Sequence, residues 1–119
     1  MPEQAKADNP SGAATFVGYW VSTFNFAART GDADLMMQHA RDCKPCMEYA
    51  DEFQSLPDSD RPKKSAWTLK EVSVGPSRKP IEVTATVKVL DEKKPYPLTF
   101  VLNSGPPYEL VDIYERKAS

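Results

Sequence analysis

Two cysteines and a single histidine hold most of the reactive chemistry open to this chain. Cys43 and Cys46 stand in Cys43-Lys44-Pro45-Cys46, with His39 shortly before them and Asp42 beside the first. Three chemistries fit that spacing. The pair can close as a short structural disulfide at the start of a helix. Closing so small a loop contributes only about 2 kcal/mol through chain entropy. It also implies an oxidising compartment, because cytosolic disulfides are rare. The same pair can act as a redox dithiol, with Cys43 as nucleophile and Cys46 as resolver, since a helix N-terminus favours the thiolate. That use calls for a preceding strand in a βαβ pattern. Here the residues before Cys43 read as helical and every strand signal comes later. A metal would draw on His39, Cys43 and Cys46, with Asp42 as a further ligand. A tetrahedral structural zinc takes four Cys or His ligands, and no second Cys-x-x-Cys exists. The spacing favours the disulfide, and neither a metal nor a cofactor is expected.

Acid–base chemistry has two candidates. A carboxylate or histidine inside an apolar pocket can serve as general base beside a hydrogen-bond donor. Asp112 lies between Val111 and Ile113. Strand alternation sets it opposite those neighbours, so it faces water if they face the core. Leu110 and Tyr114 share its parity, which leaves its side open. His39 falls on a short helix, where a surface or half-buried position is usual. No Ser-His-Asp order, phosphate-binding glycine loop or paired histidine motif is present.

The elements that must position these residues are helices first and strands second. From Ser11 to Thr30, Ala13, Phe16, Val17, Trp20, Phe24 and Ala27 recur at steps of three and four, which predicts one long amphipathic helix. Asn9-Pro10 reads as its start, or Ser11 as its cap, and Gly31 as its stop. Tyr19, Thr23 and Phe26 lie off the main stripe, so the helix is expected between a sheet and another helix. Asp32 opens a short second helix through Leu35, Met36 and Ala40. A third begins near Cys43, carries Cys46, Tyr49, Ala50 and Phe53 on one face, and ends at Leu56-Pro57. The polar stretch from Pro57 to Lys64 reads as a loop.

Four strand-like runs follow. Trp67 and Leu69 share one parity and Val72 and Val74 the other, so a β-bulge is expected near Lys70-Glu71. Ile81, Val83, Ala85, Val87 and Val89 alternate with Glu82, Thr84, Thr86 and Lys88, the pattern of a strand with one wet face. Leu98, Phe100 and Leu102 mark the third strand, after a turn at Asp91 to Pro97. Residues 103–107 form a turn, and Tyr108 to Tyr114 the last strand. Helices segregated before an antiparallel meander make an α+β domain: a long N-terminal helix and two short ones on a bent four-stranded antiparallel sheet. Residues 1–10 are expected as a flexible tether, 11–116 as the domain and 117–119 as a tail.

Composition narrows the function classes. The 119 residues carry 15 Lys+Arg against 17 Asp+Glu, and this near balance argues against a nucleic-acid binder. No apolar run approaches the roughly 20 residues of a membrane span. The first ten residues lack the basic and apolar regions of a signal peptide. The short basic groups Arg61-Pro62-Lys63-Lys64 and Arg116-Lys117 read as solvated charges.

The order of elements resembles the cone-shaped, cystatin-like fold of the nuclear-transport-factor-2-like proteins, shared by ketosteroid isomerases and polyketide cyclases. Local strings carry a closer resemblance. Ala5-Lys6 precedes Gly12-Ala13-Ala14-Thr15-Phe16-Val17 and Tyr19-Trp20. Asn25-Phe26-Ala27-Ala28, Thr30-Gly31-Asp32 and Asp42-Cys43-Lys44-Pro45-Cys46 follow. Together they look like a family of actinobacterial envelope lipoproteins known only as a domain of unknown function, with the match best over 2–56. The resemblance implies a lipid anchor and polar tether ahead of this domain, an extracytoplasmic setting and a disulfide at Cys43 and Cys46. The anchor cysteine it implies is absent from this sequence. No catalytic residues come with it.

A cone of this kind encloses a pocket between the long helix and the concave sheet face. Tyr19, Trp20, Phe24, Tyr49, Trp67, Phe100 and Tyr114 are the candidate lining, with His39 and Asp112 as polar candidates; aromatic filling of the core is the competing use. The expectation is a non-catalytic binding domain for a small apolar ligand, a peptide or a partner protein. The rivals are an isomerase or cyclase using Asp112 or His39, and a thiol oxidoreductase using the cysteines. A homodimer through the outer sheet face is possible in such folds, though Thr84, Thr86 and Lys88 make that face polar.

Overall fold

A computed structural model describes residues 1–116; the expected tail 117–119, with Lys117, lies outside the described residues. Three helices, α1 (Pro10–Thr30), α2 (Asp34–Gln38) and α3 (Lys44–Ser55), pack on a sheet of β1 (Trp67–Arg78), β2 (Ile81–Val89), β3 (Tyr96–Leu102) and β4 (Leu110–Glu115). The strands run in the order β1-β2-β3-β4, every pair antiparallel. The fold is α+β.

Local chemistry accounts for the helix ends. Asn9 is the cap of α1: its Oδ1 accepts the Gly12 N–H at 2.7 Å, and Pro10 fills the first helical position, where no N–H is needed. Gly31 closes the helix at φ 81°, a left-handed conformation that glycine adopts at little cost. Asp32 lies ahead of α2 and accepts the Asp34 N–H at 3.1 Å. The second helix stops at Gln38, before Ala40.

The sheet buries one face. Ile81, Val83, Ala85 and Val87 of β2 are fully buried together with Phe100 and Leu102 of β3, against Phe16, Val17, Trp20 and Phe24 of α1. The bulge expected in β1 is present. The register slips between Lys70 and Ser73, with Glu71 at φ 54°. It turns the far half of β1 to present different residues to the core. β3 starts at Tyr96, so Tyr96 and Pro97, the last two residues of the expected turn, belong to the strand.

A second irregularity decides the orientation of Asp112. Leu102 pairs with Leu110 but Val101 with Asp112, so Val111 is an extra residue in β4. The insertion lets Leu110 and Ile113 both face the core (1% and 8% exposed), and it turns Asp112 outward.

Residues 1–10 are docked rather than free as a tether would be. Glu3–Lys6 form a 3-10 turn, and Ala5 is buried. The Tyr108 hydroxyl donates to the Ala7 carbonyl at 2.7 Å, and Arg78 pairs with Asp8 at 3.0 Å. The N-terminal segment thereby joins both ends of the sheet to the start of α1.

Candidate functional site

The helix α3 packs on the helix-facing side of the sheet, against β4. The space left between them is a cavity of about 410 Å³. Pro45 and Tyr49 of α3 form one wall. Trp67 of β1 and Val89 of β2 form the back. Leu98 and Ile113 form the floor, and Tyr96, Tyr114, Glu92 and Glu115 ring the mouth. Register explains this grouping: Val87 pairs with Tyr96 and Leu98 with Glu115, so Tyr96, Leu98 and Glu115 share the helix-facing side. The walls are mostly apolar, and the polar groups gather at the mouth, as in small-molecule sites generally.

Two rings make the corner of the cavity. Tyr49 and Trp67 meet edge to face, centroids 5.4 Å apart and planes at 84°. Trp67 is held from behind by Phe24, stacked at 3.9 Å and 25°. Phe53 meets Phe24 edge-on at 5.0 Å, which supports the stack in turn. Burial pushes the Tyr49 hydroxyl above its ordinary value of 10.0, and the carboxylates of Glu52 and Glu48 push it the same way. At neutral pH it is therefore a neutral hydrogen-bonding group. Tyr49, Trp67 and Val89 also border a second hollow of about 250 Å³ under Phe53 and Pro62.

The predicted aromatic lining divides into two sets. Tyr49, Trp67 and Tyr114 border the cavity. Trp20, Phe24 and Phe100 are 1%, 2% and 0% exposed, and they fill the core that backs it. The indole N–H of Trp20 donates to the Met36 carbonyl at 2.9 Å, which ties α1 to α2. Tyr19 is half-buried on α1 and does not line the cavity. Tyr114 reaches the mouth from the outer side of β4, where its hydroxyl donates to the Glu82 carboxylate at 3.0 Å.

The polar candidates lie elsewhere. Asp112 is exposed, and its carboxylate accepts its neighbour Ile113 N–H at 2.9 Å. His39 is half-buried beyond α2, with its ring edge-on to Phe16 at 6.0 Å. Its carbonyl accepts the Leu110 N–H at 2.7 Å. Neither lines the cavity. The expected lining did not include Pro45, Val89, Glu92, Tyr96, Leu98, Ile113 or Glu115. Strand parity would have put Tyr96 and Leu98 on one face.

Cys43 and Cys46 are joined as a disulfide, Cα atoms 5.2 Å apart, and both are 0% exposed. The pair fixes the first turn of α3, and so the position of Pro45 at the cavity wall. With both sulfurs bonded to each other, no thiolate is available for a metal. Among the described residues, no three His, Cys, Asp or Glu side chains gather closely enough to hold an ion. No helix of the described residues is long and apolar enough to cross a membrane.

No curated protein and no solved structure shows significant similarity to this chain. A family model, described as a family of unknown function (DUF6318), matches residues 1–110. The match takes in the docked N-terminal segment, all three helices, the disulfide and the sheet up to the first residue of β4. The chain belongs to this family of unknown function.

Proposed function

We propose that this domain is a non-catalytic binding module that takes a small, largely apolar molecule into the cavity between α3 and the sheet. One observation carries the reading: a cavity of about 410 Å³ whose back and floor are Trp67, Val89, Leu98 and Ile113, with the charged groups of the described residues at its mouth. That volume falls within the range of small-molecule sites. Leaving apolar side chains in contact with water has a cost, about 25 cal/mol for each Å², and an occupant relieves it.

The wider setting follows the resemblance in the N-terminal half. The domain is the folded part of an actinobacterial envelope lipoprotein, lipid-anchored outside the membrane, with a cone of the nuclear-transport-factor-2-like kind. The buried Cys43–Cys46 disulfide supports the extracytoplasmic setting, since such bonds persist where the surroundings oxidise. An isomerase or cyclase would need a base inside the cone, whereas Asp112 faces water and His39 lies outside the cavity. A thiol oxidoreductase would need an accessible sulfur for attack, and neither cysteine has any exposed surface.

The test is retention. The protein is equilibrated with a mixture of small organic molecules, and its intact mass is compared before and after unfolding. Adducts lost on unfolding, and absent from a Leu98→Trp variant of unchanged melting temperature, are the expected result. Adducts equally retained by Leu98→Trp, or none at all, would overturn the proposal.

A further inference from the structure

We propose that the cavity selects a small organic cation, an amine or quaternary ammonium carried on an apolar body, with the cationic group lodged against the Tyr49–Trp67 corner and below Glu92 and Glu115. The inference rests on the binding reading above and names the class of ligand for that same cavity.

Aromatic faces come first. The ring of Tyr49 and the indole of Trp67 meet edge to face at 84° with centroids 5.4 Å apart, Phe24 covers one face of Trp67, and both rings line the cavity. A ring face carries the negative part of the aromatic quadrupole. A cation within about 6 Å of such a face gains roughly 0.5–1 kcal/mol at an exposed site and about 2 kcal/mol when desolvated. Tyr96 lines the same mouth and adds a third aromatic group.

Charge points the same way. Among the described residues, the ionised side chains lining the cavity are Glu92 and Glu115, and no lysine or arginine lines it. Lys93, Lys94 and Arg116 are near in sequence but do not line it, and the Arg116 guanidinium reaches instead toward the Ala85 carbonyl. Both glutamates are exposed, so they stay hydrated and incur no burial cost while waiting for a partner. An anion entering would meet two carboxylates and an aromatic lining, and would lose its water without repayment. A neutral apolar molecule would gain the back and floor but neither the ring quadrupoles nor the rim carboxylates. The cation gains the floor, the corner and the rim. The Tyr49 hydroxyl stays protonated, so the corner itself brings no anion at neutral pH. The cavity is closed at the back by Trp67 and Val89, which suits a compact molecule rather than a through-running peptide.

Three probes of one shape test this: benzyltrimethylammonium, its neutral isostere neopentylbenzene, and the anion benzylsulfonate. Each is titrated into isotopically labelled protein while the backbone and indole signals of Tyr49, Trp67, Tyr96 and Leu98 are followed. The cation is expected to bind at least about tenfold more tightly than the neutral isostere, and the anion to cause no saturable shift. Glu92→Gln with Glu115→Gln should lower the cation's affinity several-fold at low salt and leave the neutral probe unchanged. Raising the salt to about 1 M, where screening acts within about 3 Å, should do the same to the native protein. Equal binding of cation and neutral probe would overturn the cation inference and leave the binding cavity standing. Binding of the anion alone would overturn it as well. No saturable shift from any probe would overturn both.

Discussion

The side chain of Asn25 pairs with the backbone of Trp67 as a strand would. Its Nδ2 donates to the Trp67 carbonyl at 2.9 Å, and its Oδ1 accepts the Trp67 N–H at 2.9 Å. β1 is an edge strand, and on its other side Trp67 lies opposite Val89. A helix side chain thus satisfies two backbone groups that an edge would leave open. It also fixes the residue that forms the back of the cavity.

Asn25→Ala should therefore cost about 2 kcal/mol, one modest hydrogen bond at each end. Asn25→Asp keeps the acceptor but loses the donor, and places a charge beside the Trp67 carbonyl. It should be no more stable than the alanine variant. Urea unfolding gives both values. A loss below about 0.5 kcal/mol for Asn25→Ala would mean that water replaces the amide without penalty.

Gly12 sets helix propensity against packing. In the interior of an exposed helix, alanine is about 1 kcal/mol better than glycine. Here a Cβ on residue 12 would collide with the Ala7 carbonyl, the group that accepts from Tyr108. Gly12→Ala is accordingly expected to destabilise by about 1–3 kcal/mol and to make residues 1–10 the first site of proteolysis. A stabilised Gly12→Ala would show that the segment yields easily.

The disulfide should resist reduction while the fold persists, because neither cysteine is exposed. Dithiothreitol is expected to open it no faster than the protein unfolds. Replacing both cysteines with alanine should lower stability by about 2 kcal/mol, the entropy of so short a loop. Fast reduction under native conditions would return the thiol-exchange reading.

Tyr49 gives the protein an alkaline limit. Its hydroxyl is held protonated by burial and by Glu52 and Glu48, so the folded state binds this proton more tightly than the unfolded chain does. Stability from this source is complete below the ordinary value of 10.0 and is lost as the pH rises through and above it. Tyr49→Phe should flatten that decline and leave stability near neutral pH little changed. Denaturant unfolding in alkaline buffers, with tyrosinate absorbance as a second readout, checks the sign. A variant that declines as steeply as the native protein would assign the alkaline loss to other groups.

Much of the architecture could be read in the chain because local chemistry and side-chain period agree there. Asn9-Pro10 and Gly31 bound α1, the alternation from Ile81 names the inner face of β2, and the parity slip at Lys70-Glu71 is a real bulge. Alternation alone leaves Asp112 undecided, for a physical reason. An extra residue at Val111 keeps both Leu110 and Ile113 inward, and no parity rule holds across it. The cavity was legible only in part. Periodicity tells which side chains point inward, but not which of them meet a neighbour and which meet space. Trp20 and Phe100 point inward and meet the core, while Tyr49 and Trp67 meet it on one side only. Docking of residues 1–10 depends on Tyr108 and Arg78, which lie 101 and 70 residues from their partners Ala7 and Asp8, and such long-range partners leave no local signal.

The central claim is that small molecules enter at the Tyr49–Trp67 corner, and the two tryptophans provide their own control. Trp67 borders the cavity, whereas the Trp20 indole is buried and bonded to Met36. The two indole N–H signals should be recorded while benzyltrimethylammonium is added to the native protein. A saturable shift of the Trp67 signal with Trp20 unmoved is expected. A Trp67 signal that stays in place at saturating probe, or two indoles that move together, would contradict it.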